Sequence, residues 1–357
     1  MKDERFELKH FTNFNYTTCF LFLNSCNTLL PALKAHDTFE ALTMLMLRKI
    51  LKWTGIILLV LIAGVALVTA LRQHLKYDAP YPNIKASADS AVIARGKHLV
   101  TGPAHCIDCH SPIHNKDSVL RLGQDVPLIG GYKFDLPFGK FYTRNLTSDK
   151  ETGIGNMTDA EVARVLRYSI KKNGEAVLPF MPFQNLSDED LTAIISYLRS
   201  LRPVHNPVPD HDYNVVGNLI KAFLIKPVGP TEKIVASVPE DTTAAYGRHM
   251  VMAVANCNEC HTKRDAIGNY VGAPLAGGTV FEEKGLPTLI SPNLTPDSTS
   301  RIFGWSQQNF IQRFRTGKLI PYSHMPWESF SRMTDTELKA IYNYLQTVKP
   351  VKTEVKK

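Results

Sequence analysis

Four of the six cysteines fall into two copies of one pattern, Cys106-Ile107-Asp108-Cys109-His110 and Cys257-Asn258-Glu259-Cys260-His261. Two thiols one helical turn apart can add across the two vinyl groups of one porphyrin, and the adjacent imidazole is then presented to the iron. With 6 Cys and 12 His in 357 residues, chance would supply about 0.003 such motifs per chain. Each copy therefore reads as a covalent haem site, giving two haem c groups with His110 and His261 on their irons. A redox Cys-x-x-Cys gives no reason for the trailing histidine. A Cys₄ zinc site usually sets its two pairs about 15–20 residues apart, far closer than Cys106 and Cys257.

The second axial position calls for a side chain held in a stiff loop. Leu178-Pro179-Phe180-Met181-Pro182-Phe183 is bracketed by prolines, which remove backbone freedom and can hold one thioether toward an iron. Met325-Pro326 repeats the feature in the second half. A lone methionine is usually core filler; the recurrence at matched places favours the ligand reading for Met181 and Met325. His324 and, more weakly, Met333 compete for the second site.

Helices must carry these groups. Ser90 to Val100 is helical in composition and feeds the first motif, with Gly96-Lys97-His98 ten residues ahead of Cys106. Thr158-Asp159-Ala160-Glu161 reads as a capping box for a helix with Val162, Val165 and Leu166 on one face. Ser187-Asp188-Glu189-Asp190 caps another, with Leu191, Ile194, Ile195 and Leu198 at i, i+3, i+4 and i+7. The same landmarks return in order: Gly247-Arg248-His249, Gly277-Gly278 for Gly130-Gly131, and Asn293-Leu294-Thr295 for Asn145-Leu146-Thr147. Ser306-Gln307-Gln308-Asn309 and Thr334-Asp335-Thr336-Glu337 then open the last two helices. Gly96 and Gly247 match Tyr197 and Tyr344 as pairs expected to touch where two helices cross closely. The sequons at Asn145 and Asn293 read as loop structure rather than glycosylation.

On Cys106, Cys109, His110, Met181, Cys257, Cys260, His261 and Met325, on the Asn-Leu-Thr loops and on Gly153-Ile154-Gly155, the chain resembles the class I c-type cytochromes. More narrowly, it is similar to the multihaem cytochrome c subunits that accept electrons from membrane-bound alcohol and aldehyde dehydrogenases. Those subunits typically carry three haem domains, and this chain has two. The resemblance implies thioether attachment at both cysteines, histidine–methionine ligation, and an all-α fold of short helices around each porphyrin. Two tandem class I cytochrome c domains are then expected, at 90–204 and 240–350, followed by a basic tail at 351–357.

Ahead of them, Trp53 to Leu71 carries no charge and is long enough for the hydrocarbon core of a bilayer. Residues 44–72 read as an uncleaved signal-anchor transmembrane helix, preferred over a cleaved signal peptide because the apolar run exceeds the usual h-region. Arg48, Lys49 and Lys52 favour a cytoplasmic N-terminus, which places the haem domains on the periplasmic side of a bacterial cytoplasmic membrane. Residues 1–43 read as a non-native or disordered extension, with Met44 or Met46 a normal start. Residues 73–89 are a tether. The proline-punctuated stretch 205–239 is a linker whose apolar piece, Val215 to Ile225, reads as an amphipathic helix along the domain interface, with membrane-surface contact the alternative.

The net charge of +8 is spread along the chain rather than gathered in one tract, which excludes nucleic acid and suits redox protein partners or anionic lipid. Function then divides into two readings. A membrane-anchored dihaem electron carrier passes single electrons from a dehydrogenase or quinol-side donor to a respiratory acceptor, with no substrate of its own. A dihaem peroxidase instead needs one iron with a releasable position and a distal acid or base. Methionine on both irons favours the carrier.

Overall fold

The computed structural model describes Leu23–Asp265 and Gly268–Thr353, with side chains from Phe39 onward. Met1–Val68 and Thr69–Lys357 form separate compact units. The first is dominated by helix α1, Leu23–Arg72. Its stretch Phe39–Arg72 has a window of mean hydropathy 2.7 and is long and apolar enough to cross a membrane. The helix begins at Leu23, ahead of the expected start of the anchor at Met44. Residues 1–22 lie outside the described residues.

The second unit is mostly helical and holds two similar halves. In the first, α2 (Ser90–Thr101) crosses α6 (Asp188–Ser200); in the second, α8 (Ala244–His249) and a π-helical continuation (Met250–Val254) cross α12 (Asp335–Thr347). The crossings are close because each has a glycine at its centre. A Cβ on Gly96 would strike the Ala193 carbonyl and lie 2.8 Å from Tyr197 Cβ; one on Gly247 would strike the Ala340 carbonyl and lie 2.8 Å from Tyr344 Cβ. The expected Gly–Tyr contacts are therefore present.

Between each pair run a helical Cys-x-x-Cys-His turn, α3 (Cys106–His110) or α9 (Cys257–His261), and a later helix, α5 (Asp159–Tyr168) or α10 (Gln307–Arg315). Among the described residues, the short α4 (Lys116–Arg121), α7 (Val215–Phe223) and α11 (Trp327–Phe330) complete the helices that lie wholly within this unit. Thr158, Ser187, Ser306 and Thr334 all accept the backbone N–H three residues on, and the boxes at Thr158 and Thr334 are reciprocal. One apolar cluster joins the halves, including Leu99, Leu191, Tyr246 and Leu338. Each such leucine contributes roughly 2 kcal/mol by leaving water.

Three sequence expectations change. The fold is not purely helical: β1 (Lys133–Leu136) and β2 (Gly139–Tyr142) form a hairpin that β3 (Asp212–Tyr213) extends, and β4 (Val280–Phe281) pairs with β5 (Leu289–Ile290). The stretch 205–239 is not a free linker, because β3 pairs with β2, and Asp188 and Glu189 donate their N–H groups to the Val235 and Ala236 carbonyls. Helix α7 (Val215–Phe223) sits on the first-half hairpin instead of between the halves. Asn214 donates to the Pro137 carbonyl at 2.9 Å, and a Cβ on Gly217 would strike that of Phe138.

The halves meet through reciprocal histidine–carboxylate hydrogen bonds. His98 Nε2 lies 2.9 Å from both Glu337 oxygens, and His249 Nε2 lies 2.6 Å from Asp190 Oδ2. Arg95 reaches Asp190 at 3.2 Å, Glu337 at 3.4 Å and the Tyr246 hydroxyl at 3.3 Å. Each histidine thus meets the third residue of the other half's terminal helix. Burial opposes ionisation of both acids, but the histidine hydrogen bonds and the Arg95 charge outweigh it and hold both carboxyls below their ordinary range.

Candidate haem site

Each Cys-x-x-Cys-His turn is entered through a left-handed residue, His105 (φ 40°) or Asn256 (φ 50°). Such a conformation strains a residue with a Cβ and persists only where its surroundings fix it. Asn256 is fixed by amide bonds to the Ala253 and Val254 carbonyls, and the His105 ring packs edge-on against Phe330. The kink stops the preceding helix from running on and starts a new turn at the first cysteine.

The histidines that follow are oriented by the backbone. His110 Nδ1 lies 2.8 Å from the Arg144 carbonyl oxygen, and His261 Nδ1 lies 2.8 Å from that of Pro292. A carbonyl only accepts, so Nδ1 carries the proton and Nε2 keeps the lone pair a metal takes. Burial lowers both histidine pKa values, favouring that neutral form.

Those carbonyls precede Asn145 and Asn293, which explains the repeated Asn-Leu-Thr. Asn145 is buried; its amide donates to the Val204 carbonyl at 2.8 Å and its oxygen accepts the Thr147 N–H at 2.9 Å. Asn293 does the same with the Val351 carbonyl at 2.7 Å and the Thr295 N–H at 2.8 Å. Both are structural, and neither offers its amide to solvent. Gly130 and Gly277 lie against the same strap. Their N–H groups donate to the His110 and His261 carbonyls at 2.8 and 2.7 Å, both have positive φ, and a Cβ would lie 2.6 Å from Thr143 O or Asn293 N.

Burial pushes the Cys106 and Cys257 thiols up to about 12 and Cys109 up to about 11. A redox dithiol needs the opposite shift. Among the described residues no three His, Cys, Asp or Glu gather as a metal site would require, so the two cysteine pairs do not converge on a zinc ion.

The methionine loops are half-buried against the core cluster. Phe180, just before Met181, packs on Phe134 of β1 at 5.3 Å between ring centroids. His324, just before Met325, stacks on Phe281 of β4 at 5.0 Å. His324 is thus the counterpart of Phe180, engaged with the strand. Met333 is buried as a core side chain.

Two arginines escaped the sequence reading. Arg167, buried at the end of α5, bonds the Leu186 carbonyl and Asp188 (2.7 Å). Arg315, at the end of α10, bonds the Ser331 carbonyl (2.7 Å) and Asp335 (2.6 Å). Each clamps the segment joining its methionine loop to the terminal helix. An arginine in the last turn of a helix looks from sequence like an ordinary solvated charge.

Two thiols on one helical turn, beside a histidine whose outer nitrogen is tied to a carbonyl, fit a covalently attached haem c. Residues 93–202 match the family model for cytochrome c. It is 29% identical over 289 residues to the cytochrome c subunit of the quinone alcohol dehydrogenase of Gluconobacter oxydans, covering 74% of this chain and 56% of that one. To the fructose dehydrogenase cytochrome subunit of Gluconobacter japonicus it is 30% identical over 293 residues, covering 75% and 55%. A diheme cytochrome c-type protein of Cereibacter sphaeroides is 26% identical over 305 residues, covering 81% of this chain and 95% of its own length. The chain spans little more than half the length of the two dehydrogenase subunits. The matched family is one that binds haem c covalently and transfers electrons.

Proposed function

We propose that the chain is a membrane-anchored dihaem cytochrome c that relays single electrons from a dehydrogenase to a respiratory acceptor, with its haem domains in the bacterial periplasm and no substrate of its own. Cytochrome c domains at 90–204 and 240–350 would each hold one haem. Cys106 and Cys109 would attach the first through thioethers, with His110 and Met181 as axial ligands. Cys257, Cys260, His261 and Met325 would hold the second. When bound, the haem supplies an iron that cycles by one electron.

The residues of the chain do the rest. The Arg144 and Pro292 carbonyls hold the proton on Nδ1 and turn Nε2 inward. Arg167 and Arg315 brace the methionine loops. The matched packing of Phe180 on Phe134 and His324 on Phe281 supports the assignment, because it sets Met325 at the place of Met181 and engages His324 with the strand. Domains near 100 residues bury little core on their own, so each haem would be a large share of its fold.

The test is haem content and turnover of the purified full chain. Two haems per chain, with haem peptides recovered at both Cys-x-x-Cys-His motifs and no peroxide-dependent oxidation of a reduced dye, are expected. One haem per chain, or steady peroxide turnover, would overturn the reading.

A further inference from the structure

Helix α7 is packed the wrong way round for a helix of a water-soluble unit. At 100° per residue, Val215, Val216, Leu219, Ile220 and Phe223 share an arc of about 140°. Most of that face looks outward: Val215 is 79% exposed, Val216 54% and Phe223 40%, with Leu224 at the C-cap 55%, while Leu219 and Ile220 are half-buried. The residues turned inward are the small Gly217 and Ala222. An amphipathic helix normally buries its apolar face; here the protein is met by the least apolar side of the helix, and the apolar side is presented to whatever lies beyond.

Arg72 suggests what lies beyond. It is the first charged residue after the uncharged run Trp53 to Leu71, so in a spanning helix its guanidinium falls at the level of the lipid headgroups. That guanidinium stacks over the Phe223 ring at 5.5 Å, and its Nε donates to the Ala222 carbonyl at 3.2 Å. The C-terminal end of α7 is therefore fixed to the residue that marks the membrane boundary. Lys221 is turned toward the protein, over the Tyr213 ring and 3.8 Å from Glu175, whereas Lys76 and Lys226, close in sequence to Arg72 and to the end of α7, are exposed. Exposed cations beside an apolar face suit an interface with anionic lipid.

We infer that α7 lies in the membrane interface as a second attachment point, with Val215, Val216, Phe223 and Leu224 immersed among the acyl chains and Arg72 beside lipid phosphates. The inference rests on the anchor reading proposed above. It would fix the first haem half against the bilayer instead of leaving it on the tether at 73–89, setting which surface faces a membrane-bound redox partner.

The test uses full-length, haem-loaded, reduced protein in phosphatidylcholine–phosphatidylglycerol vesicles, with Cys19 and Cys26 replaced by serine. Nitroxides are attached singly at Val216→Cys, Leu224→Cys, Leu61→Cys and Phe303→Cys, and collisions with oxygen and with a water-soluble nickel chelate are compared. At 216 and 224 the oxygen-to-nickel collision ratio is expected to be severalfold above that at 303. A ratio at 216 and 224 equal to that at 303 would overturn the inference. Shielding from both reagents would also overturn it, and would assign the face to a second copy or a partner subunit. Leu61 reports on the anchor alone, so a water-exposed label there would refute the span while positions 216 and 224 still decide the fate of α7.

Discussion

The two halves of the second unit keep the same backbone bonds around their Cys-x-x-Cys-His turns and differ in the side chains that lie behind those bonds. Both have a left-handed entry residue, a ring Nδ1 on the carbonyl before Asn-Leu-Thr, a positive-φ glycine under that strap and an arginine clamp behind the methionine loop. Where they meet, the copies diverge. Asp190 is too short to reach back to its own N-cap as Glu337 does, and it serves only Arg95 and His249. The first helix of the first half is regular, whereas its counterpart widens into a π-turn at Met250–Val254. What is held constant is the machinery that orients a ligand; what varies is how one copy is seated on the other.

The largest effect should fall on the more deeply buried of the reciprocal pairs. His249 and Asp190 are 8% and 7% exposed, whereas His98 is 25% exposed. Removing His249 leaves Asp190, 7% exposed, with Arg95 alone, so His249→Ala should cost about 2–3 kcal/mol in denaturant unfolding of the holoprotein. His98→Ala should cost about 1–2 kcal/mol, since Glu337 keeps the Thr334 N–H and Arg95. Equal losses would break the asymmetry.

The arginine clamps should differ in the same sense. Arg167 is 3% exposed and Arg315 32%. Arg167→Ala, which leaves the Leu186 carbonyl and part of Asp188 without a donor, should cost about 2–3 kcal/mol. Arg315→Ala should cost about 1 kcal/mol or less. Thermal melts of both variants rank them directly.

A smaller effect is expected with pH. Asp190, facing His249 and Arg95, and Glu337, facing His98, Arg95 and the Thr334 N–H, are both held below the ordinary carboxylate range. Their contribution is complete above that range and is lost as pH falls through the lowered folded values. Stability should therefore drop below about pH 4, and Asp190→Asn should flatten that acid limb while lowering stability at neutral pH. An unchanged acid limb would show that the pair is not what titrates.

Much of this was legible in the sequence, and the exceptions share a cause. The haem motifs, four N-caps, two close glycine crossings and the order of the repeat are written in short-range spacing, which sequence reads well. The carbonyls of Arg144 and Pro292 carry no side-chain signal, although their place before Asn-Leu-Thr in both copies could have pointed to them. The hairpin around Phe134 is only four residues a side in a stretch broken by Pro137 and Gly139, too short for an alternating pattern to stand out. His98 and His249 were visible as repeated residues, but their partners lie in the other half, a relation only tertiary structure supplies. α7 was recognised as amphipathic; which face it buries is decided by the hairpin beneath it.

The proposed ligation puts a methionine, and in neither half a histidine, opposite the Cys-x-x-Cys-His imidazole. The most direct measurement is the methionine-to-iron charge-transfer absorption of the oxidised full chain, quantified per haem. Two equivalents are expected in the unmodified protein, two in His324→Phe, which restores the residue found at Phe180, and one in Met325→Ala. One equivalent in the unmodified protein, or a loss in His324→Phe with none in Met325→Ala, would contradict it.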